Sequence, residues 1–280
     1  MKRQNMPADI PEIRPGQSIE LLKELHILTR DGKLNQDTRR KLKQVYHLYQ
    51  LIEPLLADVQ SIADHGAGKS YLGFILYDLF FRERESGHIF GIETRQELVE
   101  KSRDLAARLG FMRMSFLNIT VEESTHSSAL PEQIDMVTAL HACDTATDDA
   151  IRFALTKQAR HIVLVPCCQA EVAAAMRAGK SAALAKTPLS ELWRHPLHTR
   201  EIGSHLTNVL RCLLLESHGY QVTVTELVGW EHSMKNELII AKKMNEKTPR
   251  PQQIARERAL AILREFNIEA LASRFAYPQP

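Results

Sequence analysis

The chain has 280 residues, of which 44% are hydrophobic and 25% charged, with a formal net charge of +2. That composition builds a globular core without staples, and so slight a positive balance does not by itself argue for nucleic acid. No apolar run approaches the roughly 20 residues of a membrane helix, the start Met1-Lys2-Arg3-Gln4-Asn5-Met6 lacks a signal-peptide core, and Cys143, Cys167, Cys168 and Cys212 lack metal-ribbon spacing, so a cytoplasmic protein with reduced thiols is expected.

In chain order, the Pro-rich residues 1–16 read as a loose arm, followed by a helix over 18–29 that Ser18 can cap. A longer helix over 36–58 carries Leu42, Val45, Leu48, Tyr49 and Ile52 at helical spacing, with Arg39, Arg40, Lys41 and Lys43 on its early exposed face. Strands then alternate with amphipathic helices: strands at 59–64, 88–93, 112–117, 134–140 and 161–166, helices at 69–83, 95–109 and 147–158. Short apolar strands separated by helices imply a buried parallel sheet. An Ala-rich stretch, 171–200, interrupts the alternation. A helix over 204–218 follows, then strands at 221–228 and 237–243 that read as a closing antiparallel hairpin, and a final helix over 251–265. The expected division is a helical region 1–58, a catalytic domain 59–243 with 171–200 as a substrate-side insertion, and a helical tail 244–280.

The segment Asp64-His65-Gly66-Ala67-Gly68-Lys69-Ser70 lies where the first strand turns into the first helix. Glycines there permit the turn and let a ligand approach the backbone. Gly68-Lys69-Ser70 hints at a phosphate loop, but that motif needs a glycine where Ala63 stands. An acidic residue followed by G-x-G fits a nucleoside-binding turn better. Glu93 ends strand two about 25 residues on, placed to accept ribose hydroxyls, a need common to S-adenosylmethionine and NAD. Asn118, after strand three, can read an adenine edge or simply occupy a turn.

The order glycine loop, acidic strand-two end and closing hairpin resembles the class I S-adenosylmethionine-dependent methyltransferases, with a Rossmann-like α/β fold of seven mostly parallel strands. This implies S-adenosyl-L-methionine as cofactor, with Asp64, Gly66, Gly68, Lys69, Glu93, Asn118 and His141 around it. Within that class, His141-Ala142-Cys143-Asp144-Thr145-Ala146-Thr147-Asp148, the Cys167-Cys168 pair and Ser233-Met234-Lys235-Asn236 resemble elements of proteins related to the eukaryotic acceptor-stem tRNA 2′-O-methyltransferases. Asp144 stands where those have glycine, Met234 where proline is common, Gln169 where histidine is usual, and their N-terminal zinc-finger cysteines are missing here.

The resemblance implies catalytic roles for His141, Asp144, Lys235 and Asn236, and substrate contacts for Cys167, Cys168 and Gln169. His141 reads as a base or as a scaffold, and Thr147 and Asp148 as helix caps. Arg39, Arg40, Lys41 and Lys43, together with Arg194, His195, His198 and Arg200, suit phosphate contacts. No metal site and no membrane partner are expected. RNA is the expected substrate; a protein or small-molecule acceptor, or a non-catalytic cofactor-binding module, are the alternatives.

Overall fold

The computed structural model describes residues 11–140, 145–166, 170–178, 188–227, 237–245 and 249–275. Its centre is a seven-stranded sheet in the order β3-β2-β1-β4-β5-β7-β6. The strands are β1 (Ser61–His65), β2 (His88–Ile92), β3 (Met114–Leu117), β4 (Met136–Leu140), β5 (His161–Val165), β6 (Tyr220–Glu226) and β7 (Glu237–Lys243). The first five run parallel; β7 is antiparallel to both β5 and β6. The closing hairpin therefore inserts its second strand between the parallel set and its own first strand. Every residue of β5 is buried, as expected for an interior strand covered on both faces.

The helices are α1 (Ile19–Glu24), α2 (Gln36–Ile52), α3 (Tyr71–Leu76), α4 (Gln96–Leu109), α5 (Val121–His126), α6 (Thr145–Thr156), α7 (Glu171–Ala178), α8 (Pro196–Ser217), α9 (Pro249–Glu265) and α10 (Ala272–Phe275). The apolar stripe of α2 (Leu42, Val45, Leu48, Tyr49, Ile52) joins Leu21 and Leu22 of α1, Phe74 of α3, and Ile62 and Ile89 of the sheet in one core. Ala63, Val137 and Ile162 point to the opposite face and meet Ile151 and Phe153 of α6. A third cluster ties α7, α8, α9 and α10 through Met176, Leu210, Leu263 and Phe275.

Several elements differ from the sequence expectation. The helix expected over 18–29 stops at Glu24, because His26 adopts a left-handed backbone (φ 54°). The helix expected over 36–58 is α-helical only to Ile52; Glu53–Asp58 tightens to a 3₁₀ turn with Pro54 in its first turn, where its missing N–H costs nothing. The helix expected over 69–83 starts at Tyr71 and becomes a π-helical turn over Tyr77–Phe81. α5 was not anticipated, although Thr120 and Glu123 form a capping box that announces it.

Candidate active site

The first strand-to-helix turn is built around the Asp64 carboxylate. It faces Gly91 of β2 and Thr138 of β4 across the sheet. Thr138 Oγ1 donates to Asp64 Oδ1 at 2.8 Å and Ser70 Oγ to Oδ2 at 3.1 Å. The Gly73 N–H donates to it as well. Burial pushes this carboxyl up to about 6, against those three bonds. Asp64 thus braces the turn from inside. Gly66, Gly68 and Ser70 all hold positive φ (60°, 56° and 50°), so the loop reverses sharply before α3. A side chain at Gly73 would meet Ser70 Oγ at 2.5 Å, which explains the glycine there.

Glu93 sits just beyond β2, buried beside that loop. Its Oε2 accepts from Gly68 N at 2.8 Å and Arg95 Nη2 at 3.1 Å; its Oε1 accepts from Arg95 N and Nε, both at 3.0 Å. Burial works to raise its pKa, but Arg95's guanidinium and the two backbone donors outweigh it and hold the carboxyl at about 2. Asn118 Nδ2 donates to the carbonyls of Glu93 (3.1 Å) and Thr94 (2.7 Å), fixing the peptide that carries the carboxylate.

A cavity of about 430 Å³ opens against this turn. It is lined by Asp64, Gly66, Ala67, Gly68, Tyr71, Leu72, Arg95 and Leu140, and on the other side by Leu25 with Lys41, Gln44, Val45 and Leu48. The last four are spaced i, i+3, i+4, i+7, one face of α2. That spacing was present in the sequence; what it faced was not. Arg39 and Arg40, expected at the substrate, are exposed and do not line the cavity, and Arg39 pairs with Glu12 at 3.1 Å. Lys69 is exposed on the loop. Arg194 is exposed at the start of α8 and pairs with Glu191 at 3.2 Å.

His141, Asp144, Cys143, Cys167, Cys168, Gln169, Lys235 and Asn236 lie outside the described residues. Their flanks are described. In the first turn of α6, Asp148 receives Arg211 of α8 through Nε (2.6 Å) and Nη2 (3.0 Å), with Arg211 fully buried. Asp148 therefore joins two helices. Sequence reading gave no hint of Arg211, 63 residues away. His65, next to the glycine loop, is fully buried edge-on to Phe153 (4.2 Å between centroids), and neither ring nitrogen has a partner among the described residues. Burial alone drives its pKa down to about 3, so it is neutral.

The glycine loop, the Glu93 carboxylate bound to its Gly68 N–H and a cavity of nucleoside size fit the donor set that S-adenosylmethionine needs. Residues 40–175 match the family model described as a methyltransferase domain. A bovine protein, "Glutathione S-transferase C-terminal domain-containing protein", is 23% identical over 236 residues; the match covers 75% of this chain and 34% of that protein, so the chain spans about a third of the length of this curated relative. Among solved structures, the Podospora anserina methyltransferase PaMTH1 with bound S-adenosylhomocysteine superposes with a TM-score of 0.47 at 13% identity, covering 81% of this chain and 87% of that one. An rRNA methylase from Streptococcus thermophilus gives 0.44 at 11%, covering 70% and 95%. Residues 40–175 thus match a methyltransferase domain, and the seven-stranded sheet with its antiparallel terminal hairpin is the Rossmann-like arrangement of that domain.

Proposed function

We propose that this chain transfers a methyl group from S-adenosylmethionine to RNA. The observation that carries the reading is the cavity between α2 and the glycine loop, whose lining residues Gly68 and Arg95 are both bonded to Glu93. When bound, the cofactor supplies a methyl carbon made electrophilic by its sulfonium. The chain's part is to hold and align. Glu93 accepts the ribose hydroxyls, the backbone of Gly66 and Gly68 admits the nucleoside closely, and Lys69 borders the loop. Asn118 spends its N–H group on the strand-two end and keeps Oδ1 for the adenine amine. For a ribose-hydroxyl acceptor, His141 or Asp144 takes the hydroxyl proton, with Lys235 and Asn236 positioning the acceptor and Cys167, Cys168 and Gln169 forming its wall.

RNA is favoured by exposed basic side chains on the helical additions: Arg39, Arg40 and Lys43 on α2, and Arg194, His195, His198 and Arg200 at the start of α8. In this reading residues 1–58, 171–200 and 244–280 surround the domain 59–243 on the substrate side. The test is calorimetry with S-adenosylmethionine on wild type and Glu93→Gln, then transfer of tritiated methyl to total RNA and to total protein. Binding that weakens in Glu93→Gln, with label in RNA, supports the reading. Label in protein alone moves the acceptor class to protein. Absence of cofactor binding overturns the reading.

A further inference from the structure

The cavity runs from Arg95, at the end of β2 beside Glu93, to Leu140, the last residue of β4. Among the described residues that line it, two are cations, Arg95 and Lys41. Arg95 is committed to Glu93 by two guanidinium bonds and a backbone N–H. Among the described residues Lys41 is held only by Asp37, one turn back on the same helix, at 3.1 Å with side chains 42% and 64% exposed. Such an exposed pair is worth little, so Lys41 can change partner at small cost. The one carboxylate among the lining residues, Asp64, is spent on Thr138, Ser70 and Gly73. Apart from Arg95, which stands beside the carboxylate read as the ribose acceptor, the described lining offers an anion one exchangeable cation, Lys41 of α2.

S-adenosylmethionine carries a single anionic group, the α-carboxylate of its amino-acid moiety, at the far end from the adenine. We propose that Lys41 of α2 receives that carboxylate. The inference rests on the reading of this cavity as the cofactor site. It makes α2 part of the binding site as well as of the core: Leu42, Tyr49 and Ile52 pack inward, Lys41 and Gln44 line the cavity, and Val45 and Leu48 belong to both. A charge-assisted bond to a carboxylate in a partly enclosed cavity is stronger than the exposed pair it replaces.

The experiment titrates the full chain with S-adenosylmethionine and with decarboxylated S-adenosylmethionine, which keeps the adenine, ribose, sulfonium and amine. Wild type should prefer the carboxylated ligand by about tenfold. Lys41→Ala should abolish that preference by weakening S-adenosylmethionine alone, and Lys41→Arg should restore most of it. Glu93→Gln should weaken both ligands alike, since both carry the ribose. If Lys41→Ala leaves the preference intact, or weakens both ligands equally, the assignment of Lys41 is overturned while the cavity keeps its reading. If wild type binds neither ligand, or Glu93→Gln changes neither, the cofactor reading itself falls, and the role of Lys41 with it.

Discussion

Removing the Asp64 carboxylate strips an acceptor from Thr138, Ser70 and the Gly73 N–H at once. Asp64→Ala should therefore cost about 2 kcal/mol of folding stability, seen as a lower urea midpoint at unchanged slope, because buried donors left unpaired are expensive. Loss of cofactor binding in that variant would report a collapsed turn, which makes Glu93 the cleaner probe of the ligand. Arg95 raises the opposite expectation. It occupies both oxygens of Glu93 from an exposed position, so the ribose that the proposed reading puts on Glu93 must displace it. Arg95→Ala should tighten S-adenosylhomocysteine a few-fold in calorimetry, the ceiling for releasing an exposed ion pair; weaker binding would mean that Arg95 itself contacts the cofactor. His65 gives a pH signature. Its folded pKa, about 3, lies below the ordinary 6.5, so the unfolded chain takes up a proton first as pH falls. Stability from this site is complete above pH 6.5 and drains away towards pH 3. Between pH 6.5 and 5 the loss is about 2 kcal/mol, and His65→Leu should remove that much of the acid slope in urea titrations. An unchanged slope would show that His65 finds a partner in solution.

Among the elements, α6 and α8 depend on a charge pair more than on apolar contact alone. Arg211 is fully buried and Asp148 nearly so, and Arg274 of α10 approaches the same carboxylate at 3.8 Å. Arg211→Met should cost about 3–5 kcal/mol by stranding Asp148 in the interior, whereas Arg211→Met with Asp148→Leu should recover most of the loss. If the double variant is no better than the single one, the pair matters for more than charge balance. The alternation of strands and helices was legible because buried parallel strands are short apolar runs, and HIVLVP over 161–166 is one of them. Boundaries were less so. The end of α1 depends on the backbone of His26, and the shift to a 3₁₀ turn after Ile52 on Pro54, local effects that periodicity does not report. The Asp148–Arg211 pair was invisible because tertiary packing joins residues 63 apart in sequence.

Over the whole molecule, the site was half legible. Asp64, Gly66, Gly68 and Glu93 could be read in line because one turn and one strand end bring them together, whereas Lys41 and Arg95 enter through the placement of α2 and the fork of a long side chain. Basic residues were legible as a run on α2, but the fold turns Lys41 inward and leaves Arg40 and Lys43 exposed. Replacing Arg40 and Lys43 together by Ala should weaken RNA binding several-fold and reduce the dependence of log affinity on log salt by up to about two counterions, with S-adenosylhomocysteine affinity unchanged. An unaltered salt slope would exclude this face from the RNA contact. The inserted β7 has a consequence for biosynthesis. β5 finds its second neighbour only in residues 237–243, while β6, made earlier, touches the sheet solely through β7. A nascent chain that has emerged only as far as β6 thus displays an open, largely apolar strand edge at β5, a template for pairing with other chains. Translation must deliver β7 before that edge closes, so a pause between the codons for β6 and β7 prolongs the interval in which the ribosome-bound chain is most exposed to aggregation and most in need of a chaperone.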